Sequence, residues 1–176
     1  MPNYRRAFIP GGCWFFTVNL WNRNSRLLTD NIDALRDALA QTRKRFPFTV
    51  SALVVLPDHL HTIWDLPDGD QDFPLRWRLI KGRFSKSIPA GEALSGSRAI
   101  RGERGIWQRR YWEHAIRDER DYQTHMNYCW INPVKHGLVE DMDDWPYSTF
   151  HESWGREGSH DVAGTEDLPT QFGERP

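Results

Sequence analysis

Cysteine is scarce in this chain of 176 residues: Cys13 and Cys129 are the only two, they lie far apart, and they form no CxxC pair. A disulfide-rich secreted scaffold is thereby excluded, and a reduced, intracellular protein is expected. No apolar run approaches the length that spans a bilayer, and the first residues carry no signal-peptide core, so the expectation is a cytoplasmic protein without a membrane partner. Internal repeats are absent. Excess charge is lacking too, since 23 Lys and Arg face 24 Asp and Glu. Aromatic residues, by contrast, are plentiful: nine Trp, nine Phe and five Tyr. Such a load fits a large core and also fits stacking on unpaired bases, and composition leaves both uses open. The length suits one domain with room for a tail.

The balanced total conceals an uneven distribution. Residues 1–26 carry Arg5, Arg6, Arg23 and Arg26 and no acid. Residues 74–110 carry ten Lys and Arg against Glu92 and Glu103, and residues 140–176 carry ten acids against Arg156 and Arg175. A basic body followed by an acidic tail is the layout of a polyanion binder, with ordinary solvated surface as the bland alternative.

Along the chain, Gly11-Gly12 turns into a β-branched and aromatic run, Cys13 to Leu20, that predicts a first strand. Thr29-Asp30 reads as the start of a helix with Ile32, Leu35, Leu39 and Phe46 near helical spacing, and Pro47 stops it. Phe48 to Leu56 and His59 to Leu66 predict a hairpin around Pro57-Asp58. Phe73, Trp77, Ile80, Phe84 and Ile88 step by three or four and predict a second helix, with Arg76, Arg78, Lys81 and Arg83 between them. Residues 89–105 read as a loop. A further strand is expected around Tyr111 to Ile116, and Asp118 caps a third helix with Asp121 at the capping-box position. This order is α+β: two helices on one face of an antiparallel sheet, the other face left for a ligand. Residues 1–151 form the single domain, and 152–176 an acidic tail expected to be disordered. From Asp143 and Asp144 onward, the acids can fold over the basic groove and compete with a polyanion.

The chemistry concentrates in two places. In an extended strand His59 and His61 leave one side while Leu60 enters the other. Two neighbouring imidazoles hold a divalent metal if a third ligand arrives, and packed histidines are the competing reading. On the third helix, at about 100° per residue, Tyr122, Met126, Cys129, Trp130 and Pro133 form the expected core stripe. Tyr128 points away from it, with Asn132 one turn on and His125 and Asp121 on the same side. If that helix lies beside the hairpin, Asn132 completes the ligand set and Tyr128 stands next to the metal; otherwise Tyr128 is an ordinary surface tyrosine.

These pieces resemble a known family. Pro57-Asp-His-Leu-His61 is similar to the HUH motif (His, bulky hydrophobic, His) of single-tyrosine DNA transposases and relaxase-like nucleases. Tyr4-Arg-Arg6, Gly11-Gly-Cys-Trp-Phe-Phe-Thr-Val-Asn-Leu20, Val54-Val-Leu-Pro-Asp-His-Leu-His61, Arg76-Trp-Arg78, Trp107-Gln108, Tyr111-Trp-Glu-His-Ala-Ile-Arg117, Tyr128, Ile131-Asn-Pro-Val-Lys-His-Gly137 and Asp144-Trp-Pro-Tyr-Ser-Thr-Phe150 resemble, in order, the REP-associated tyrosine transposases of bacteria. The resemblance implies a ferredoxin-like (RRM-like) antiparallel sheet with helices packed on one face, the architecture of HUH nucleases. It implies Tyr128 as nucleophile and His59, His61 and Asn132 as metal ligands, although relatives in the wider group often carry Gln at the last position. It also implies a monomer acting on single-stranded DNA with a REP hairpin.

The expected activity is metal-dependent DNA cleavage and strand transfer through a 5′-phosphotyrosine, with Mg²⁺ or Mn²⁺ as cofactor. Arg5, Arg6, Arg76, Arg78, Lys81 and Arg83 are candidate DNA contacts. His114 and His125 can back the site or serve as structural histidines. Two rivals stand beside this reading: a non-catalytic REP or single-stranded DNA-binding protein, and a phosphoesterase in which water attacks.

Overall fold

The computed structural model describes residues 9–90 and 104–151. Arg5, Arg6, most of the loop after Pro89 and the acidic tail from 152 lie outside the described residues. Four strands, β1 (Cys13–Asn19), β2 (Thr49–Val55), β3 (His59–Asp65) and β4 (Trp112–Ala115), form one sheet in the order β2-β3-β1-β4 with every neighbouring pair antiparallel. This is the ferredoxin-like order, with β3 paired along its length on both sides. The β2–β3 turn closes where the Leu56 N–H donates to the His59 carbonyl (2.8 Å) across Pro57-Asp58.

Strand alternation assigns the two faces. Trp14, Phe16, Val18, Leu60 and Trp64 point to one side, where α2 (Ile32–Arg45) and α3 (Phe73–Ser87) cover them. All five apolar positions expected on the second helix are buried. Its start is set by Asp72, whose side chain accepts from the Leu75 N–H. The first helix begins later than the Thr29-Asp30 signal suggests. Those residues sit in a separate turn, α1 (Leu27–Asp30), where the Thr29 hydroxyl donates to the Arg26 carbonyl instead of capping, and α2 follows from Asn31 to end before Pro47.

Arg76 is a correction to the expected DNA surface. It is 1% exposed, and all of its donors are used internally. Nε and one Nη2 hydrogen go to the Phe46 and Pro47 carbonyls, and the remaining donors go to the Asp70 carboxylate and the Asp72 carbonyl. An arginine that ties α3 to the end of α2 has nothing left for phosphate. Removing it leaves the Phe46 and Pro47 carbonyls and the partly buried Asp70 carboxylate without their shared partner and empties a buried site, so Arg76→Ala should destabilise the fold by about 2–4 kcal/mol. Thermal melts check this, and DNA affinity of the folded variant should stay near wild type; a normal melt with weakened DNA binding would restore the surface reading.

Its neighbours are also engaged. Arg83 donates to the Thr42 hydroxyl on α2. Lys81 donates to the Gln108 carbonyl and sits over the Trp107 and Tyr111 rings, and burial pushes its pKa down to about 8. Of the four α3 candidates, Arg78 alone presents an exposed side chain.

The second face of the sheet is not left open as expected. Phe15, Ala52, Val54 and Ile63 are covered by α4 (Glu119–Lys135), and the segment after it packs in turn on the helix and on β2. Trp130 meets Phe150 edge-on at 5.3 Å, and the Trp145 indole N–H donates to the Val55 carbonyl. Both stripes of α4 are therefore buried, one on the sheet and one under residues 138–150. The helix runs through Pro133 to Lys135, and Gly137, at φ +65°, takes the left-handed turn that releases the chain.

Candidate active site

His59 and His61 occupy the middle of the second face, and the register fixes their partners. Opposite His61 stands Thr17, and opposite His59 stands Asn19. Thr17 Oγ1 and His61 Nδ1 are hydrogen-bonded at 2.8 Å. His59 Nδ1 donates to Asp58 Oδ1 at 2.8 Å, and Asp58 is gripped from its other side by Arg23 at 3.1 Å. Burial would raise the Asp58 carboxyl, but the His59 bond and charge and the Arg23 charge outweigh it and hold it below its usual range. Each imidazole thus has its Nδ1 engaged by a partner, so that Nε2 is the atom that would remain for an ion. This is the outer arrangement that orients histidine ligands. The rings lie 5.0 Å apart, centroid to centroid, and both are buried.

The helix α4 brings the second half. Asp121, His125, Tyr128, Asn132, Lys135 and His136 fall on one stripe of about 100° width, and that stripe faces the sheet. Tyr128 meets His61 edge-on at 5.1 Å and Phe15 at 6.1 Å. His136 meets His59 at 5.1 Å. Asn132, halfway between Tyr128 and His136, is bracketed by these contacts and is 0% exposed. Its Nδ2 donates to the Tyr128 carbonyl. Its Oδ1 is buried and has no hydrogen-bond partner among the described residues. A buried amide oxygen left so costs about 1–3 kcal/mol, which calls for a missing partner.

Tyr128 is therefore not a surface tyrosine. It is 1% exposed, and Lys135 Nζ donates to its hydroxyl at 3.0 Å while lying 4.6 Å from its ring centroid. Lys135 and His136 escaped the sequence reading, although a signal was there: seven and eight residues beyond Tyr128 is two helical turns, hence the same face.

His114, Asp121 and His125 form a separate cluster where β4 meets the start of α4. One ligand atom from each lies within 4.8 Å of the others, so metal donors gather here as well. The geometry favours a charged tie. Asp121 Oδ2 accepts from His114 Nε2 and from the Arg117 backbone and side chain, and the two imidazoles stack at 4.6 Å and 18°, their in-plane lone pairs nearly parallel. Asp121 does not close a capping box; Asp118 caps the helix alone. Phe15 links the cluster to Tyr128, touching His125 at 4.7 Å and Tyr128 at 6.1 Å. Burial pushes the His125 imidazole down.

Burial would also raise the Asp121 carboxyl, but the Arg117 and His114 hydrogen bonds prevail and hold it well below the carboxylate range. A depressed folded pKa stabilises above the unfolded value, about 3.9, and that contribution is lost as the pH falls through the folded pKa. Asp121→Asn should lower the melting temperature by several degrees at pH 7. The gap to wild type should narrow in melts below about pH 4; a gap that stays constant down to pH 2 would count against the tie.

A cleft of about 390 Å³ opens beside His59, between Arg23 and Arg26, the Leu56–His59 turn, and His136 with Leu138. Its lining brings two arginines and Asp58 to the histidine edge of the site.

No family model matches the chain. A REP-associated tyrosine transposase of Escherichia coli K12 is 49% identical over 156 residues, covering 89% of this chain and 87% of the relative. A relative from Haemophilus influenzae Rd is 43% identical over 165 residues, 88% of this chain and 94% of its own length. Among solved structures, that of a REP-associated tyrosine transposase bound to a REP hairpin matches with a TM-score of 0.82 and 47% identity, covering 100% of this chain and 99% of that one. Identity near one half along almost the whole of both chains exceeds what a shared fold requires, and the chain belongs to the REP-associated tyrosine transposases.

Proposed function

We propose that the protein cuts and rejoins single-stranded DNA bearing a REP hairpin, with Tyr128 as nucleophile and a covalent 5′-phosphotyrosine as intermediate. One observation carries the reading: a buried tyrosine packs on His61, its hydroxyl is held by Lys135, and it shares a helix stripe with the unpartnered Asn132 oxygen. Nucleophile, cation and candidate metal donors meet on one patch. The substrate class is supported by the relatives and by the REP hairpin bound to the structural neighbour.

The donor set fits a divalent ion. His59 and His61 have their Nδ1 atoms tied back, and Asn132 Oδ1 is buried without a hydrogen bond. Two imidazoles and an amide oxygen suit Mg²⁺ or Mn²⁺ with phosphate oxygens completing the shell. When bound, the ion neutralises charge on the non-bridging oxygens of the scissile phosphate. Tyr128 attacks phosphorus in line and O3′ leaves; because the phosphoester energy is kept in the tyrosyl link, a 3′-hydroxyl can reverse the step without a nucleotide cofactor.

Arg78 on α3, together with Arg5 and Arg6, is assigned to phosphate or base contacts. Trp21, 61% exposed just beyond β1, adds an aromatic face on which a base can stack. His114 and His125 act at one remove, holding α4 against β4. Residues up to about 151 serve as the catalytic domain, working in the cytoplasm as a monomer in which Tyr128 serves the histidines of its own chain. The test is incubation with single-stranded REP DNA and Mn²⁺ followed by denaturing gels. A protein–DNA band that forms only with Mn²⁺ or Mg²⁺ supports the reading, and cutting without any such band supports attack by water.

A further inference from the structure

The contact between Lys135 and Tyr128 is not explained by the metal residues or by the fold. Side chains on a helix lean toward its N-terminus, so a lysine two turns beyond Tyr128 projects back over the same stripe. There its ammonium donates to the Tyr128 hydroxyl at 3.0 Å and lies 4.6 Å from the ring centroid. Lys135 is itself exposed. An exposed ammonium gains little stability from a neutral hydroxyl and gives up side-chain freedom to stay there, so the fold alone has little use for the arrangement. The oxygen it holds is the one atom of the chain that changes covalent state in the reaction proposed above.

We propose that Lys135 is a further catalytic residue: it fixes the Tyr128 oxygen and supplies positive charge to it while that oxygen carries developing negative charge, as nucleophile in cutting and as leaving group in rejoining. The inference rests on the reading of Tyr128 as nucleophile. In cutting, the bond from the Tyr128 oxygen to phosphorus forms as the bond from phosphorus to O3′ breaks. The hydroxyl proton passes to solvent, and solvent returns one to O3′. The net step is a transesterification without a co-reactant, and the lysine keeps all its protons. In rejoining, a 3′-hydroxyl forms the new bond, the tyrosyl oxygen departs, and the same ammonium faces it. A charge preset at the oxygen needs no rearrangement at the moment of reaction, which is where such donors are most effective.

The test compares Lys135→Ala, Lys135→Arg and Tyr128→Phe in single-turnover reactions on REP single-stranded DNA with Mn²⁺, alongside DNA binding and melting curves. Lys135→Ala should form the covalent adduct about 100-fold more slowly, the usual loss for one such donor, with DNA affinity and melting temperature close to wild type. Ethylammonium chloride should recover part of the lost rate, whereas tetramethylammonium chloride, which has no N–H, should not. Lys135→Arg should fall between wild type and the alanine variant. Adduct formation by Lys135→Ala within about threefold of wild type would overturn the inference, as would a loss that tracks weakened DNA binding and is untouched by ethylammonium. If Tyr128→Phe still cuts, the nucleophile reading fails first; if it is inert while Lys135→Ala is normal, only this inference falls.

Discussion

Tyr128→Phe should abolish the covalent protein–DNA adduct and lower cleavage by at least about 10³-fold while leaving DNA binding intact, because the substitution removes the proposed attacking atom and little else. The phenyl ring keeps its edge contacts with His61 and Phe15. The lost hydroxyl had Lys135 as a partner, and an exposed ammonium finds water in its place. Stability should therefore change by no more than about 1 kcal/mol, a few degrees in melting temperature. Folding, binding and chemistry are thus separable in one variant, read by melts, by gel shifts and by denaturing gels. Cleavage at the wild-type rate in this variant would hand the nucleophile's role to water and remove the strand-transfer mechanism.

The histidine pair should be equally decisive, through the metal. His59→Ala or His61→Ala should lower Mn²⁺-dependent cleavage by about 10²–10³-fold, since on the proposed ligand set each would delete one of three ligands and leave the ion's charge misplaced. Wild-type protein should also gain stability with Mn²⁺, by about 2.7 kcal/mol when the free ion stands at 100 times its dissociation constant. That gain should vanish in both variants. The thermal shift matters because it reads the metal without any DNA or turnover. Asp58→Asn and Thr17→Ala, which loosen the rings without deleting them, should show a smaller loss in metal affinity, about 10–100-fold. Cleavage that survives loss of both imidazoles would remove the metal assignment altogether.

Much of this site is written in local pattern. His59 and His61 share a face because strand geometry has a period of two, and Leu60 is buried on the other side as that period demands. Phe73 to Ile88 reads as a helix because its apolar residues recur at helical spacing. Docking is a different matter. The stripe from Tyr122 to Pro133 is the more apolar one, yet Tyr128 and Asn132 are just as deeply buried, because α4 lies between the sheet and the chain's own return along β2. Periodicity finds one buried face and is silent when a helix is covered twice. Arg76 fails for a related reason. Its five donors are satisfied by groups up to 30 residues away in sequence; helical spacing does set it apart, since Arg76 stands three after Phe73 and four before Ile80 at the border of the apolar stripe, whereas Arg78 points away from that stripe and stays in water. The Thr29 signal misled because a hydroxyl that can cap can equally bond a carbonyl three residues back.

The return of the chain along β2 has a consequence beyond packing. An open sheet edge is a template for strand addition by another molecule. Here the Val55 N–H donates to the Tyr147 carbonyl and the Thr149 N–H to the Leu53 carbonyl, so along the last residues of β2 the groups that would recruit a foreign strand are already taken. Trp145 and the Thr149 hydroxyl fasten the strap to the same strand. At the opposite border β4 is only four residues long, the other common way of blunting an edge. Both borders of the sheet thus offer a foreign strand only a short row of backbone groups to pair with.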